Sequence, residues 1–127
     1  MRIIAGTFRG RTLKSPKGLA TRPVLARVRE ALFLVIGDIS GLDVLDLFAG
    51  TGAIGIEALS RGAASLTLVE KGHRQCAVIR ENISSFGIED RTAIFRADAL
   101  KALNKFHEAG RSFHFIFADP PYDAGLS

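Results

Sequence analysis

From Leu42 onward, short apolar runs alternate with segments of helical period, and that alternation leaves few folds open. The runs cover residues 44–48, 65–69, 92–95 and 113–117, and residues 53–60, 73–86 and 99–109 lie between them. Within 73–86, Cys76, Ile79, Ile83 and Phe86 fall on one helical face. Repeated strand-helix-strand units of this size predict an α/β fold: a parallel sheet with right-handed crossovers, covered by helices on both faces. Ligands of such sheets bind beyond the carboxyl ends of the strands, where strand order reverses. The residues at those ends are therefore the ones to read for chemistry.

The N-terminal segment is of a different kind. Residues 2–13 read as a short hairpin, Arg2-Ile3-Ile4-Ala5 and Arg11-Thr12-Leu13-Lys14 around a turn from Gly6 to Gly10. Pro23 suits a first helical turn, and Val24, Val28, Leu32 and Val35 predict an amphipathic helix over 24–36 that lies on the sheet with Arg27 and Arg29 off its apolar face. Residues 1–30 hold eight Lys or Arg against one acid, whereas the remainder holds nine against twelve. The chain thus divides into a basic arm, 1–22, and a domain, 23–127. Charge confined to an arm points to a polyanion, most simply nucleic acid, with solubility as the plain alternative.

A chain of 127 residues, 47% hydrophobic, has room for one compact core. No apolar run reaches membrane-spanning length and the N-terminus lacks a signal peptide, so a cytoplasmic protein is expected, with no membrane partner. Cys76 is the single cysteine, and with three scattered histidines it offers no metal-ligand spacing. Cys76 reads as packing and His114 as a hydrogen-bonded structural residue; neither is given chemistry.

The first strand runs into Asp46-Leu47-Phe48-Ala49-Gly50-Thr51-Gly52-Ala53-Ile54-Gly55. Gly50 and Gly52 permit a sharp turn and let a ligand approach bare main chain. The spacing of Gly50, Gly52 and Gly55 also satisfies the dinucleotide fingerprint. A pyrophosphate needs no carboxylate at the mouth, however, and Asp46 suits a cation better. S-adenosylmethionine, with a sulfonium and an ammonium group, is such a ligand. The second strand ends in Glu70, placed to accept both ribose hydroxyls of an adenosine moiety, a need that a nicotinamide dinucleotide shares. Asp98 can take the adenine amine while the Ala99 amide meets a ring nitrogen, or it can simply cap the following helix. Phe48 in the turn and Lys71 beside Glu70 complete the cofactor group.

Asp119-Pro120-Pro121-Tyr122 ends the fourth strand. An ionised Asp only accepts, and two prolines add carbonyls on a rigid backbone without competing N–H groups, so the segment presents acceptors to a group with two N–H donors. An exocyclic base amine is that group. The acceptors would orient it and stabilise positive charge as it attacks a sulfonium methyl, with Tyr122 as a platform for a base turned out of its stack. A Pro-Pro loop terminator is the bland alternative.

With these motifs in order, the sequence resembles the bacterial 16S ribosomal RNA guanine-N2 methyltransferases of the small-subunit type, within the class I S-adenosylmethionine-dependent methyltransferases. Arg2-Ile3-Ile4-Ala5-Gly6 with Arg9-Gly10-Arg11 resembles the family's opening hairpin, and Arg22-Pro23 with Arg27-Val28-Arg29-Glu30-Ala31-Leu32-Phe33 its first helix. The resemblance implies a Rossmann-like sheet of strand order 3-2-1-4. It implies methyl transfer from S-adenosylmethionine to a guanine 2-amino group of 16S rRNA in a small-subunit particle. Asp119, Pro120, Pro121 and Tyr122 would stand at the base, and Asp46, Phe48, Gly50, Gly52, Glu70, Lys71, Asp98 and Ala99 around the cofactor. Arg2, Arg9, Arg11, Arg22 and Arg27 would meet the RNA backbone.

Two departures stand against this pattern. Val24-Leu25-Ala26 replaces polar residues ending in an acid, and the family continues beyond Ser127 with strands that complete the sheet, so an N-terminal fragment is expected. Its fourth strand would be an open edge, with Phe113, Phe115 and Phe117 on one side and Ile116 on the other, so self-association through that edge or marginal stability is expected. The alternatives are a DNA adenine-N6 methyltransferase, which the last motif equally permits, and a catalytically silent fragment that binds cofactor or RNA. A nicotinamide dehydrogenase gives Asp119-Pro120-Pro121-Tyr122 no task.

Overall fold

The computed structural model describes residues 1–15 and 26–119. Arg22, Pro23, Val24 and Leu25, together with Pro120, Pro121 and Tyr122, lie outside the described residues. The elements are α1 (Ala26–Ile36), β1 (Asp43–Leu47), α2 (Ala53–Ser60), β2 (Ser65–Glu70), α3 (His73–Phe86), a 3-10 turn (Glu89–Arg91), β3 (Thr92–Arg96), α4 (Ala99–Glu108) and β4 (Phe115–Ala118). The four strands form one parallel sheet in the order β3-β2-β1-β4, as the sequence and its resemblance predict.

Alternation along the strands sorts two cores. Val44, Leu66, Leu68 and Phe117 face α2, α3 and the N-terminal hairpin, where Ile56, Leu59, Ile79, Ile83 and Phe86 meet Ile3 and Leu13. Leu45, Leu47 and Val69 face the other way, onto Ala99, Ala102 and Phe106 of α4. Burial on both faces explains why β1 and β2 read as nearly continuous apolar runs. Glycine at position 55 is dictated by this packing: a Cβ there would stand 2.7 Å from Leu66, forcing α2 off the sheet.

The hairpin is part of the first core and not a free arm. Arg2 bridges Thr12, the Ile3 amide donates to the Arg11 carbonyl, and Ile3 and Leu13 are buried. Its turn closes on the end of α2: the Thr7 amide donates to the Ser60 carbonyl, and the Ser60 hydroxyl donates to the Ala5 carbonyl while accepting from the Phe8 amide. Gly6 sits so close that a Cβ would fall 1.9 Å from the Ser60 oxygen, at a φ of +85° that disfavours any side chain.

Two sequence expectations are corrected. Of the expected apolar face of α1, Leu32 packs partly buried against the core, but Val28 and Val35 point to solvent, 51% and 86% exposed, and Arg29 and Phe33 are buried in their place. The reason lies in α2, where the fully buried Glu57 carboxylate accepts from Arg29 Nε at 3.2 Å and so rolls α1 to turn an arginine inward. Arg61, which caps the C-terminal end of α2, pairs with the same carboxylate at 2.9 Å and lays its guanidinium over the Phe33 ring. At the other edge, Phe113 does not share a side with Phe115 and Phe117. It precedes β4, escapes the strand's alternation, and packs against Phe106 in the second core, whereas Phe115 and Phe117 stack on the first. His114 also precedes the strand; its Nδ1 accepts from the Asp43 amide at 2.9 Å, so it is the hydrogen-bonded structural residue expected.

Candidate functional site

The register of the sheet brings the candidate carboxylates to one end. Leu47 pairs with Val69 on one side and Ala118 on the other, so Glu70, the last residue of β2, lies level with Phe48 and Asp119, which follow β1 and β4. Asp46 lies two residues behind Phe48 on the central strand, 3% exposed, directed to the face that α2 covers. Its Oδ2 is buried without a hydrogen-bond partner. Burial is the main cause that raises the Asp46 carboxyl from its ordinary 3.8 to about 7; the Gly55 backbone amide pulls it back, and the charges of Glu70 and Asp119 push it further up. Acids from three adjacent strands therefore feel one another across a single mouth.

The glycine turn shapes that mouth. Gly50 and Gly52 have φ of +61° and +83°, values that glycine adopts without strain, and a Cβ at Gly50 would meet nothing within 4 Å. Main chain at Gly50 is thus open to a ligand, whereas Gly52 opens α2 and lies against Ile56 and Ile79. Phe48 is the single non-glycine residue among those described with positive φ, at 59°, and its ring is partly exposed beside the turn. Sparsely populated backbone held at a strand end is a mark of a functional turn.

Glu70 has partners that the sequence does not reveal. Its Oε1 accepts from the Gly50 amide at 2.7 Å and its Oε2 from the Gly72 amide at 2.8 Å, so the carboxylate joins the first turn to the turn before α3. A carboxylate has about four acceptor sites, which leaves capacity for the two hydroxyls of a ribose. Asp98 caps α4 by accepting from the Lys101 amide at 3.2 Å, and Ala99 is the first residue of that helix. Lys71 is exposed next to Glu70, and Cys76 is buried with its thiol directed to the Glu70 carbonyl. Asp119 is exposed at the end of β4.

The basic residues are not equivalent. Arg2, Arg9 and Arg27 are exposed, but the Arg11 guanidinium donates to the Ser85 carbonyl at 2.8 Å and lies 4.2 Å from the Phe86 ring centre. Arg11 therefore fastens the hairpin to α3 while keeping an exposed surface. Two residues that sequence reasoning passed over organise the site's surroundings: Glu57 and Asn82, both buried. Each is a polar residue at an otherwise apolar helical position, and that is the signal by which the sequence could have shown them. A shallow cavity of about 300 Å³ lined by Arg80, Ile83, Glu89, Thr92 and Ile94 lies along α3 and β3, apart from the carboxylates. Among the described residues no cluster of His, Cys, Asp and Glu could hold a metal, and no helix is long and apolar enough to cross a membrane.

The family described as Conserved hypothetical protein 95 matches residues 1–127. The chain belongs to this family. Its relatives include Ribosomal RNA small subunit methyltransferase D of Escherichia coli (strain K12), 36% identical over 127 residues, which cover 99% of this chain and 62% of that protein. Another, named "Putative rRNA methyltransferase YlbH" in Bacillus subtilis (strain 168), is 38% identical over 123 residues, covering 96% of this chain and 67% of the relative. Among solved structures, a hypothetical protein of Thermus thermophilus superposes with a TM-score of 0.86 at 33% identity, covering 96% of this chain and 70% of that one. The chain thus spans from 62% to 67% of the length of those two curated relatives.

The raised carboxyl at the centre of the site gives a testable pH dependence. Folded Asp46 holds its proton up to about pH 7, whereas in the unfolded chain it is lost near 3.8, so between these values the folded state binds more protons. Stability is then expected to fall as pH rises from about 4 to about 7, by a few kcal/mol, and to stay low above that. Asp46→Asn should flatten this slope in urea unfolding followed across pH; an unchanged slope would show that Asp46 titrates as an ordinary carboxylate.

Proposed function

We propose that this chain is the cofactor-binding part of an S-adenosylmethionine-dependent methyltransferase that modifies the exocyclic N2 amine of a guanine in 16S rRNA, acting in the cytoplasm on the small ribosomal subunit. The observation that carries this reading is the meeting of Asp46, Glu70 and Asp119 at the carboxyl end of the sheet, around main chain left bare by Gly50. The residues fit the ligand: Asp46 has an unpartnered oxygen in a site of negative potential, which a sulfonium and ammonium would satisfy, and Glu70 retains acceptor capacity for a diol. The relatives named as ribosomal RNA small subunit methyltransferases supply the substrate class.

When bound, S-adenosylmethionine supplies a methyl group on positively charged sulfur. The chain's part is to hold it and to prepare the amine. Glu70 and Asp98 with the Ala99 amide would fix the adenosine, with Phe48, Gly52 and Lys71 along its edge. Asp119 would accept an N–H hydrogen bond from the guanine amine and turn its lone pair toward the methyl. It would also stabilise positive charge growing on nitrogen as the methyl–sulfur bond breaks, until the N–H proton passes to solvent at this exposed carboxylate. Pro120, Pro121 and Tyr122 follow in sequence and are assigned to the same base. Arg2, Arg9, Arg22 and Arg27, with the exposed face of Arg11, would contact RNA phosphates, which position the protein without specifying sequence. Among the described residues β4 is an edge strand of the sheet, with Ile116 49% exposed, and self-association through that edge belongs to the same reading.

The test is methyl incorporation from labelled S-adenosylmethionine into small-subunit particles and into duplex DNA, followed by identification of the methylated nucleoside. The reading predicts N2-methylguanosine in the particle's RNA. N6-methyladenine in DNA would favour the adenine-methylating alternative, and saturable cofactor binding without incorporation into either would leave a binding fragment.

A further inference from the structure

Asn82 lies on α3, 1% exposed, in a row otherwise filled by Ile79, Ile83 and Phe86. A buried amide among apolar neighbours is costly unless its donors and acceptor are paired, and here they are paired across three segments of chain. Its Oδ1 accepts from the Lys14 amide at 2.9 Å. Its Nδ2 donates to the Lys14 carbonyl at 3.2 Å and to the Thr51 carbonyl at 3.3 Å. The side chain thus imitates a neighbouring strand for the end of the basic hairpin and also grips the residue between Gly50 and Gly52.

The glycine turn is consequently held from two sides: Glu70 takes the Gly50 amide and Asn82 takes the Thr51 carbonyl. A ribose diol arriving at Glu70 takes the acceptor sites left on the carboxylate that fixes Gly50, and so tightens the turn. Any adjustment of the turn is carried by the Thr51 carbonyl to Asn82, and from there to the main chain of Lys14 at the end of the basic hairpin, whose exposed ammonium pairs with Glu81 of α3 at 3.2 Å. We propose that Asn82 is a positioning residue that couples the two proposed binding events, so that RNA engaged at the hairpin and cofactor engaged at the glycine turn each alter the affinity for the other. This rests on the S-adenosylmethionine and RNA reading given above. Coupling between binding free energies is reciprocal, so one factor describes both directions.

Two measurements test it. In calorimetric titrations with and without saturating small-subunit rRNA, the dissociation constant of S-adenosylmethionine should change by about fivefold or more. Asn82→Asp, which keeps the acceptor for the Lys14 amide but loses both donors, should bring that factor close to one while cofactor and RNA still bind singly. A variant retaining the wild-type factor overturns the proposal, since a merely structural residue would alter stability and not the ratio. The second measurement needs no variant: hydrogen exchange of the wild-type chain with and without S-adenosylmethionine. The proposal expects slower exchange at Gly50–Gly52 and at the Lys14 amide together. Slowing at the turn with Lys14 unchanged overturns the coupling alone, and no change at the turn overturns the cofactor reading with it.

Discussion

Replacing Glu57 by alanine is expected to destabilise the chain by about 3–5 kcal/mol, the range for removing one partner of a buried ion pair. The carboxylate is fully buried and accepts from four donors: the Ile4 and Ala5 amides at 2.9 and 3.1 Å, Arg29 Nε at 3.2 Å and Arg61 Nε at 2.9 Å. Its loss would leave the Arg29 charge buried, with only the Arg2 carbonyl accepting from its NH2 group and with NH1 already unpartnered. A single domain has about 5–15 kcal/mol in total, so the variant should sit near its unfolding midpoint under mild conditions. Equilibrium urea unfolding measures this. Arg29→Ala in the Glu57→Ala background should cost much less than Arg29→Ala alone, because the uncompensated charge is removed with it. Equal costs in both backgrounds would show that the two side chains are not energetically paired. The same network makes deletion of the hairpin a poor test of RNA binding, since it would remove Ile3 and Leu13 from the core along with the basic charge.

The second large effect is catalytic. Asp119→Ala should lower methyl incorporation into rRNA by about 10²–10³, as when one preorganised electrostatic partner of a reacting group is lost. Asp119 is exposed at the end of β4 and contributes no packing, so folding and cofactor affinity should be largely retained. Single-turnover incorporation alongside cofactor titration separates the two effects. A rate unchanged within a few-fold would take the amine-orienting role away from Asp119. Asp119→Asn keeps one carbonyl acceptor and should fall between the two, because it orients the amine but contributes no negative charge.

Local period made most of the sheet legible. The bounds of α2 and α3 match the sequence reading, as do the four strands to within a residue or two, whereas their order came from the family resemblance and not from periodicity. The glycine turn was legible for a chemical reason: only glycine adopts the positive φ found at positions 50 and 52 without strain. What escaped depends on contacts between segments distant in sequence. Arg29 carries a charge and so reads as an outward residue, but Glu57, twenty-eight residues later, turns it inward. Phe113 obeys alternation only if β4 begins early, and the strand begins at Phe115. The partners of Glu70 and Asn82 are backbone groups, which every residue possesses and no sequence pattern marks.

The central claim, a cation-accepting cofactor site built on Asp46, Gly50 and Glu70, is tested most directly by calorimetric titration of the chain with S-adenosylmethionine, with a nicotinamide dinucleotide as the comparison. The account predicts saturable binding of S-adenosylmethionine alone, with affinity falling as pH is lowered below about 7, where Asp46 becomes protonated and loses its charge. Absence of binding by a chain that still unfolds cooperatively, or preference for the dinucleotide, would contradict it.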